Sequence, residues 1–147
     1  MRRLGLVLGC LLFAAACGGN DRSTVKLGSY QFVGQGLVAP APCSSGGALV
    51  AWSATFLATA SSEADHIWVS EDKYGCKMLA PLHGAVLDAG GLSCPVAVAG
   101  FFRQDFSQFQ WDFKAGTLAY TSTLYGQDAN GAVVTYCGTV SGTTTMQ

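Results

Sequence analysis

Residues 108–113 read Gln108-Phe109-Gln110-Trp111-Asp112-Phe113. Three large aromatic residues alternate with two amides and a carboxylate. That period of two is the pattern of a strand with one buried and one wet face. The same pattern extends downstream. Ala115-Gly116 is a tight turn into Thr117–Tyr125, where Leu118, Tyr120, Ser122 and Leu124 oppose Ala119, Thr121, Thr123 and Tyr125. Asp128-Ala129-Asn130-Gly131 is a hairpin signal, because Asn-Gly supplies the positive φ of a tight turn. Residues 132–143 then close the chain. Simple alternation puts Thr135 and Cys137 on one face, and any other arrangement needs a bulge.

Upstream the alternation continues. In Leu49–Thr59 the bulkier set, Val50, Trp52, Ala54, Phe56 and Ala58, is expected to face the core. Shorter strands are expected at Val25–Phe32 (with a break near Gly28), His66–Ser70, Gly75–Ala80, Gly84–Asp88 and Val96–Phe102, with turns at Asp72-Lys73-Tyr74 and Gly90-Gly91. The pair Phe101-Phe102 breaks alternation, so one ring is expected to point outward. No amphipathic helix is evident, and Ser61–Asp65 offers at most a turn. Eight or so strands joined by short connections predict an all-β fold, an antiparallel up-and-down meander closing into a small barrel-like fold. A two-sheet β-sandwich is the alternative.

The N-terminus is of another kind. Arg2 and Arg3 precede a thirteen-residue apolar run, Leu4–Ala16, that ends in Phe13-Ala14-Ala15-Ala16-Cys17. A basic start, a short apolar stretch and small residues at a junction make a secretory signal, and the run is too short for the ~20 helical residues of a bilayer span. With a cysteine at the junction it resembles the signal of a bacterial lipoprotein, although Ala14 stands where a larger aliphatic is usual. An ordinary signal cut after Ala16 is the alternative. The resemblance implies cleavage before Cys17, a diacylglycerol on its sulfur and an acylated amino terminus. Gly18, which is not aspartate, implies onward sorting to the outer membrane of a Gram-negative bacterium. The expected organisation is a signal peptide at 1–16, a lipidated cysteine and polar tether at 17–24, and a single disulfide-stabilised β domain at 25–147. The partner implied is the lipid bilayer, through the acyl chains. The mature domain also loosely resembles small uncharacterised Gram-negative lipoproteins in composition and cysteine placement.

Cysteine arithmetic agrees with Cys17. Of six cysteines, Cys10 leaves with the signal and Cys17 is blocked as a thioether. Cys43, Cys76, Cys94 and Cys137 remain, an even set for an oxidising compartment. Four cysteines allow three pairings. Cys76 with Cys94, and Cys43 with Cys137, is the preferred one.

Two of the eight basic residues lie in the signal, which leaves six against nine acids, a net charge near −3. No basic cluster marks a nucleic-acid partner. His66 and His83 lack metal-ligand spacing, and Glu63, Asp65 and His66 read as a solvated acidic turn. Glu71 with Asp72, or Asp105 with Asp112, are unremarkable carboxylate pairs. There is no Gly-x-Ser-x-Gly elbow and no phosphate loop. No catalytic residue, metal or cofactor is expected, and a hydrolase is the least favoured reading. The densest aromatic segment is Phe101, Phe102, Phe106, Phe109, Trp111 and Phe113. It reads mainly as core, with Arg103 and Gln104 placed to rim a pocket or a protein contact. The expected function is a non-catalytic structural or protein-interaction role at the cell envelope, with an envelope protein as partner. The alternative is binding of a small apolar ligand in an interior cavity.

Overall fold

The computed structural model describes residues 25–40 and 47–147. The predicted signal, Cys17, the tether and Cys43 lie outside them. The strands are β1 Gly28–Pro40, β2 Ala48–Ala60, β3 His66–Glu71, β4 Lys77–His83, β5 Val86–Ala89, β6 Leu92–Pro95, β7 Phe101–Asp112, β8 Thr117–Gln127 and β9 Val133–Met146. Among the described residues no helix is long and apolar enough to cross a membrane.

All nine strands form one antiparallel sheet in the order β5-β4-β3-β2-β1-β9-β8-β7-β6, and β5 also pairs with β7. The hydrogen-bond pattern therefore closes on itself in a ring. This corrects both predicted architectures. There is one sheet where a sandwich needs two. The barrel-like succession of hairpins also fails, because β5 and β6 both lie along the same edge of β7. Ala89 faces Phe109 and Leu92 faces Phe106, one continuous register across the gap. Gly90-Gly91 is thus an interruption within a single strand line, and the chain does not reverse there. Gly91 has φ +69°, and a Cβ on Gly90 would lie 2.8 Å from the Ser107 carbonyl oxygen. Two adjacent glycines supply that close approach as readily as they supply a turn. The same level of β7 carries a bulge against β8, between Phe106 and Gln108.

Two further boundaries differ from expectation. Residues 96–100 form a loop, not a strand, tied down by Ala97 N–H donating to the Tyr74 carbonyl at 2.9 Å and Phe101 N–H to Val98 at 3.0 Å. β1 runs unbroken, paired to β2 on one side and β9 on the other. The β8–β9 ladder is also unbroken from Thr117/Thr143 to Gln127/Val133, so simple alternation holds in β9.

Inside the ring, alternation, interrupted in β7 by the bulge after Phe106, places Phe32 of β1, Ala54, Phe56 and Ala58 of β2, Ile67 and Val69 of β3, Phe106, Phe109 and Trp111 of β7 and Leu118 and Tyr120 of β8 in one buried cluster. Burying such side chains contributes about 1.5–3 kcal/mol each. Phe32 sits against the paired backbones of Gly34 and Gly142. A Cβ on Gly34 or Gly142 would come within 2.6 or 2.9 Å of its ring.

The two ends of the ring differ. Where the chain enters at the buried Val25, Tyr30, Trp111 and Phe113 close the interior, with ring centroids 4.2–5.6 Å apart. Trp111 Nε1 donates to Thr144 Oγ1 at 3.1 Å, and the Tyr30 hydroxyl donates to the Lys26 carbonyl at 2.6 Å. The far end, at Val38, is eight residues beyond Tyr30 in β1, about 26 Å along the strand at ~3.3 Å per residue. There the buried side chains turn polar: Glu71, Gln104 and Ser122 are the buried polar or charged residues among those described.

Candidate functional site

The predicted aromatic segment does not gather into one surface. Phe106, Phe109 and Trp111 are core, Phe113 packs against it, and Phe102 is exposed beside Tyr125. Phe101 packs against two aromatic residues that line a pocket. Phe101 and Phe102 are neighbours in β7, and ordinary strand alternation sends their rings to different sides. Phe101 then meets Tyr74 at 6.2 Å and Tyr136 at 5.7 Å, and Tyr74 meets Trp52 at 6.1 Å. These four aromatics come from β2, the β3–β4 turn, β7 and β9. Val38, Trp52, Tyr74, Gln104, Tyr120 and Tyr136 are among the residues lining the pocket at this end. Its volume is about 50 Å³, room for a few waters or for the head of a small ligand.

The floor is unusual in chemistry. Gln104 is 3 % exposed; its Nε2 donates to Ser122 Oγ at 3.1 Å, and its Oε1 has no partner. Behind the lining residues Tyr74 and Tyr120 lies Glu71, 4 % exposed, which continues the inward face of Ile67 and Val69. One of its oxygens accepts from Tyr74 N–H at 3.0 Å, and Oε1 has no partner. The Trp52 indole N–H is also buried without an acceptor. It lies toward the Tyr120 hydroxyl and eases that group's ionisation slightly, but no hydrogen bond of acceptable geometry forms. An unmet buried polar atom costs about 1–3 kcal/mol. Three such atoms, on Trp52, Glu71 and Gln104, are the unmet buried side-chain polar atoms among the described residues.

Electrostatics follow from burial. Desolvation pushes the Glu71 carboxyl up to about 7, helped by the Asp72 charge and opposed by the backbone N–H groups of Tyr74 and Lys73 and by the Lys73 charge. Burial raises the Tyr120 phenol strongly and the Tyr74 phenol less, and the Glu71 charge adds to both. Outside, Lys73 Nζ lies 3.4 Å from the Trp52 ring centroid.

Cys76 and Cys94, both buried, form a disulfide with Cα atoms 5.5 Å apart. It bridges the weakest join in the ring. The β4–β5 ladder contains only Leu82/Leu87 and His83/Val86, and β4 and β6 share no ladder. Cys137 is also disulfide-bonded, to a partner outside the described residues. Its strand neighbour Ala39 lies four positions before Cys43.

Glu63, Asp65 and His66 do come together, with His66 Nδ1 3.1 Å from Glu63 Oε2 and 2.8 Å from Asp65 Oδ1. Both acids are exposed. His66 holds the Asp65 carboxyl below its ordinary range. His83 lies elsewhere, at the end of β4. Asp105 pairs with Arg103 at 3.1 Å, and Asp112 caps the turn before β8 by accepting from Lys114 and Ala115 N–H. None of these carboxylates lines the pocket.

Sequence reasoning placed Gln104 at a pocket rim but missed Trp52, Glu71, Tyr74, Tyr120 and Tyr136. Comparison of the chain with protein families, with curated proteins and with solved structures found no match.

Proposed function

We propose that the protein is an exported, lipid-anchored binding module that offers a small, largely apolar-walled pocket with a polar floor on the side away from the membrane. The observation that carries this reading is the set of unmet polar atoms on Trp52, Glu71 and Gln104 beneath the aromatic mouth. Topology supports it. The chain enters at the plugged end and the pocket opens at the other, so an anchor on Cys17 would leave the mouth facing outward. Eight residues of polar tether, 17–24, span about 15 Å as a flexible coil. Two or more acyl chains are enough for stable attachment. The pocket's size and polar floor favour a small polar ligand over the apolar one expected from sequence, since drug-sized apolar sites run to about 300 Å³ or more.

A thermal-shift screen of the mature chain against small polar metabolites tests this. Stabilisation that saturates, and that disappears in Trp52→Ala and Gln104→Leu, is the expected result. A panel producing no shift that depends on those residues overturns the reading.

A protein-interaction role has its own support. β2 extends past β3, which pairs only with Phe56–Ala60, and so leaves the backbone edge of residues 49–53 unpaired by β3. Beside it Leu37 and Leu49 face each other across the β1–β2 ladder at 47 and 65 % exposure. An open edge next to apolar side chains is a template for an added strand. Cross-linking in membranes from a photoreactive residue at position 51 tests it. A specific adduct supports a strand partner, and its absence removes it.

A further inference from the structure

Resting on the pocket as a binding site, we infer that its ligand is a small organic ammonium ion, held by buried acceptors on its N–H groups and by aromatic faces around its body. The unspent groups select this chemistry. Gln104 Oε1 and Glu71 Oε1 are acceptors in search of donors. An ammonium brings donors, and its charge favours the ionised form of the nearby Glu71 carboxyl. Trp52, Tyr74 and Tyr136 line the pocket with aromatic rings, and aromatic faces attract organic cations. One of these rings already carries a cation: the Lys73 ammonium sits 3.4 Å from the Trp52 centroid.

Other ligand classes fit less well. An anion would meet no cationic side chain in the pocket lining and would lie near Glu71. A purely apolar ligand would leave both acceptors unmet. A long charged ligand exceeds the interior, whose volume of about 50 Å³ admits a head group of a few heavy atoms with any tail left at the mouth.

The test uses the indole N–H signals of the ¹⁵N-labelled mature chain. Its three tryptophans are Trp52, Trp68 and Trp111, and Trp52→Phe assigns the first. The probe is n-butylammonium chloride, with 1-butanol as its neutral counterpart and sodium chloride as the ionic control. The expected result is a saturable movement of the Trp52 signal with butylammonium, at least about tenfold tighter than with butanol and weakened about tenfold in Glu71→Gln. Trp111 should not move. Gln104→Leu is a second variant if Glu71→Gln does not fold, and it too should weaken binding. An equal response to butanol and butylammonium overturns the cation inference and leaves the binding reading intact. A response at full strength in both variants overturns the inference as well. If neither compound moves Trp52, only water occupies the pocket under these probes and the inference falls. The metabolite screen then decides the binding reading separately.

Discussion

Removing the Cys76–Cys94 disulfide tests how the ring is closed. The double variant Cys76→Ala/Cys94→Ala is preferable to reduction, which would also break the Cys137 bridge. The two cysteines are 18 residues apart, so in the chain-entropy view the cross-link contributes about 3 kcal/mol. Its position adds to the effect. Between β4 and the β5–β6 line, only two residue pairs near Leu82 and His83 form a ladder. At the other end of that join the disulfide and the Ala97–Tyr74 hydrogen bond hold the loop and strand together. Losing about 3 kcal/mol in a domain of this size lowers Tm by about 10–15 °C. Calorimetry under non-reducing conditions measures it. Hydrogen exchange adds the location: amides in 77–80 and 92–95 should exchange faster, while the β1–β9 and β8–β9 ladders keep their protection. A variant with wild-type Tm and unchanged exchange in 92–95 would refute the claim that the disulfide closes the ring.

Three other outcomes are expected. The folded Glu71 carboxyl keeps its proton to about pH 7, while the unfolded one loses it near 4.5; the native state binds the extra proton in that window, so wild-type stability should fall by about 3 kcal/mol as pH rises through it. Urea titrations at pH 4.5 and 8 check this, and Glu71→Gln should flatten the slope. Gly142→Ala forces a methyl against the Phe32 ring and the Gly34 backbone and should cost about 1–3 kcal/mol, read from the urea midpoint. Phe56→Ala removes a ring that meets Phe32, Phe109, Trp111 and Tyr120 and should cost about 3–5 kcal/mol in the same assay.

What alternation encodes locally was readable. Val50, Trp52, Ala54, Phe56 and Ala58 take the inward side of β2 as expected, although Val50 stays exposed at the open end. Phe109 and Trp111 are buried as read. Closure was not readable, because Gly90-Gly91 suits a hairpin turn and a strand interruption equally well. Only the shared register of Ala89/Phe109 and Leu92/Phe106 distinguishes them, and pairing is a long-range property. The pocket was hidden for a similar reason. Trp52, Tyr74, Gln104 and Tyr136 are far apart in the chain, and each alone reads as ordinary core or turn. A signal was nonetheless present. Glu71 follows Ile67 and Val69 in an inward alternation, Gln104 precedes Phe106 in another, and Ser122 lies between Tyr120 and Leu124. Three polar residues at inward positions of three strands converge at one end of the ring, and a register-aware reading would have marked them.

The most direct test of an anchored module is the intact mass of the full-length protein extracted from the membranes of a Gram-negative host. It should be recorded after thiol alkylation without reduction and again after reduction. The expected mass is that of residues 17–147 carrying three acyl chains. No alkylation should occur before reduction, and four alkylated cysteines should appear after it: Cys43, Cys76, Cys94 and Cys137. An unlipidated chain beginning at Cys17, with one thiol open to alkylation before reduction, would contradict the account.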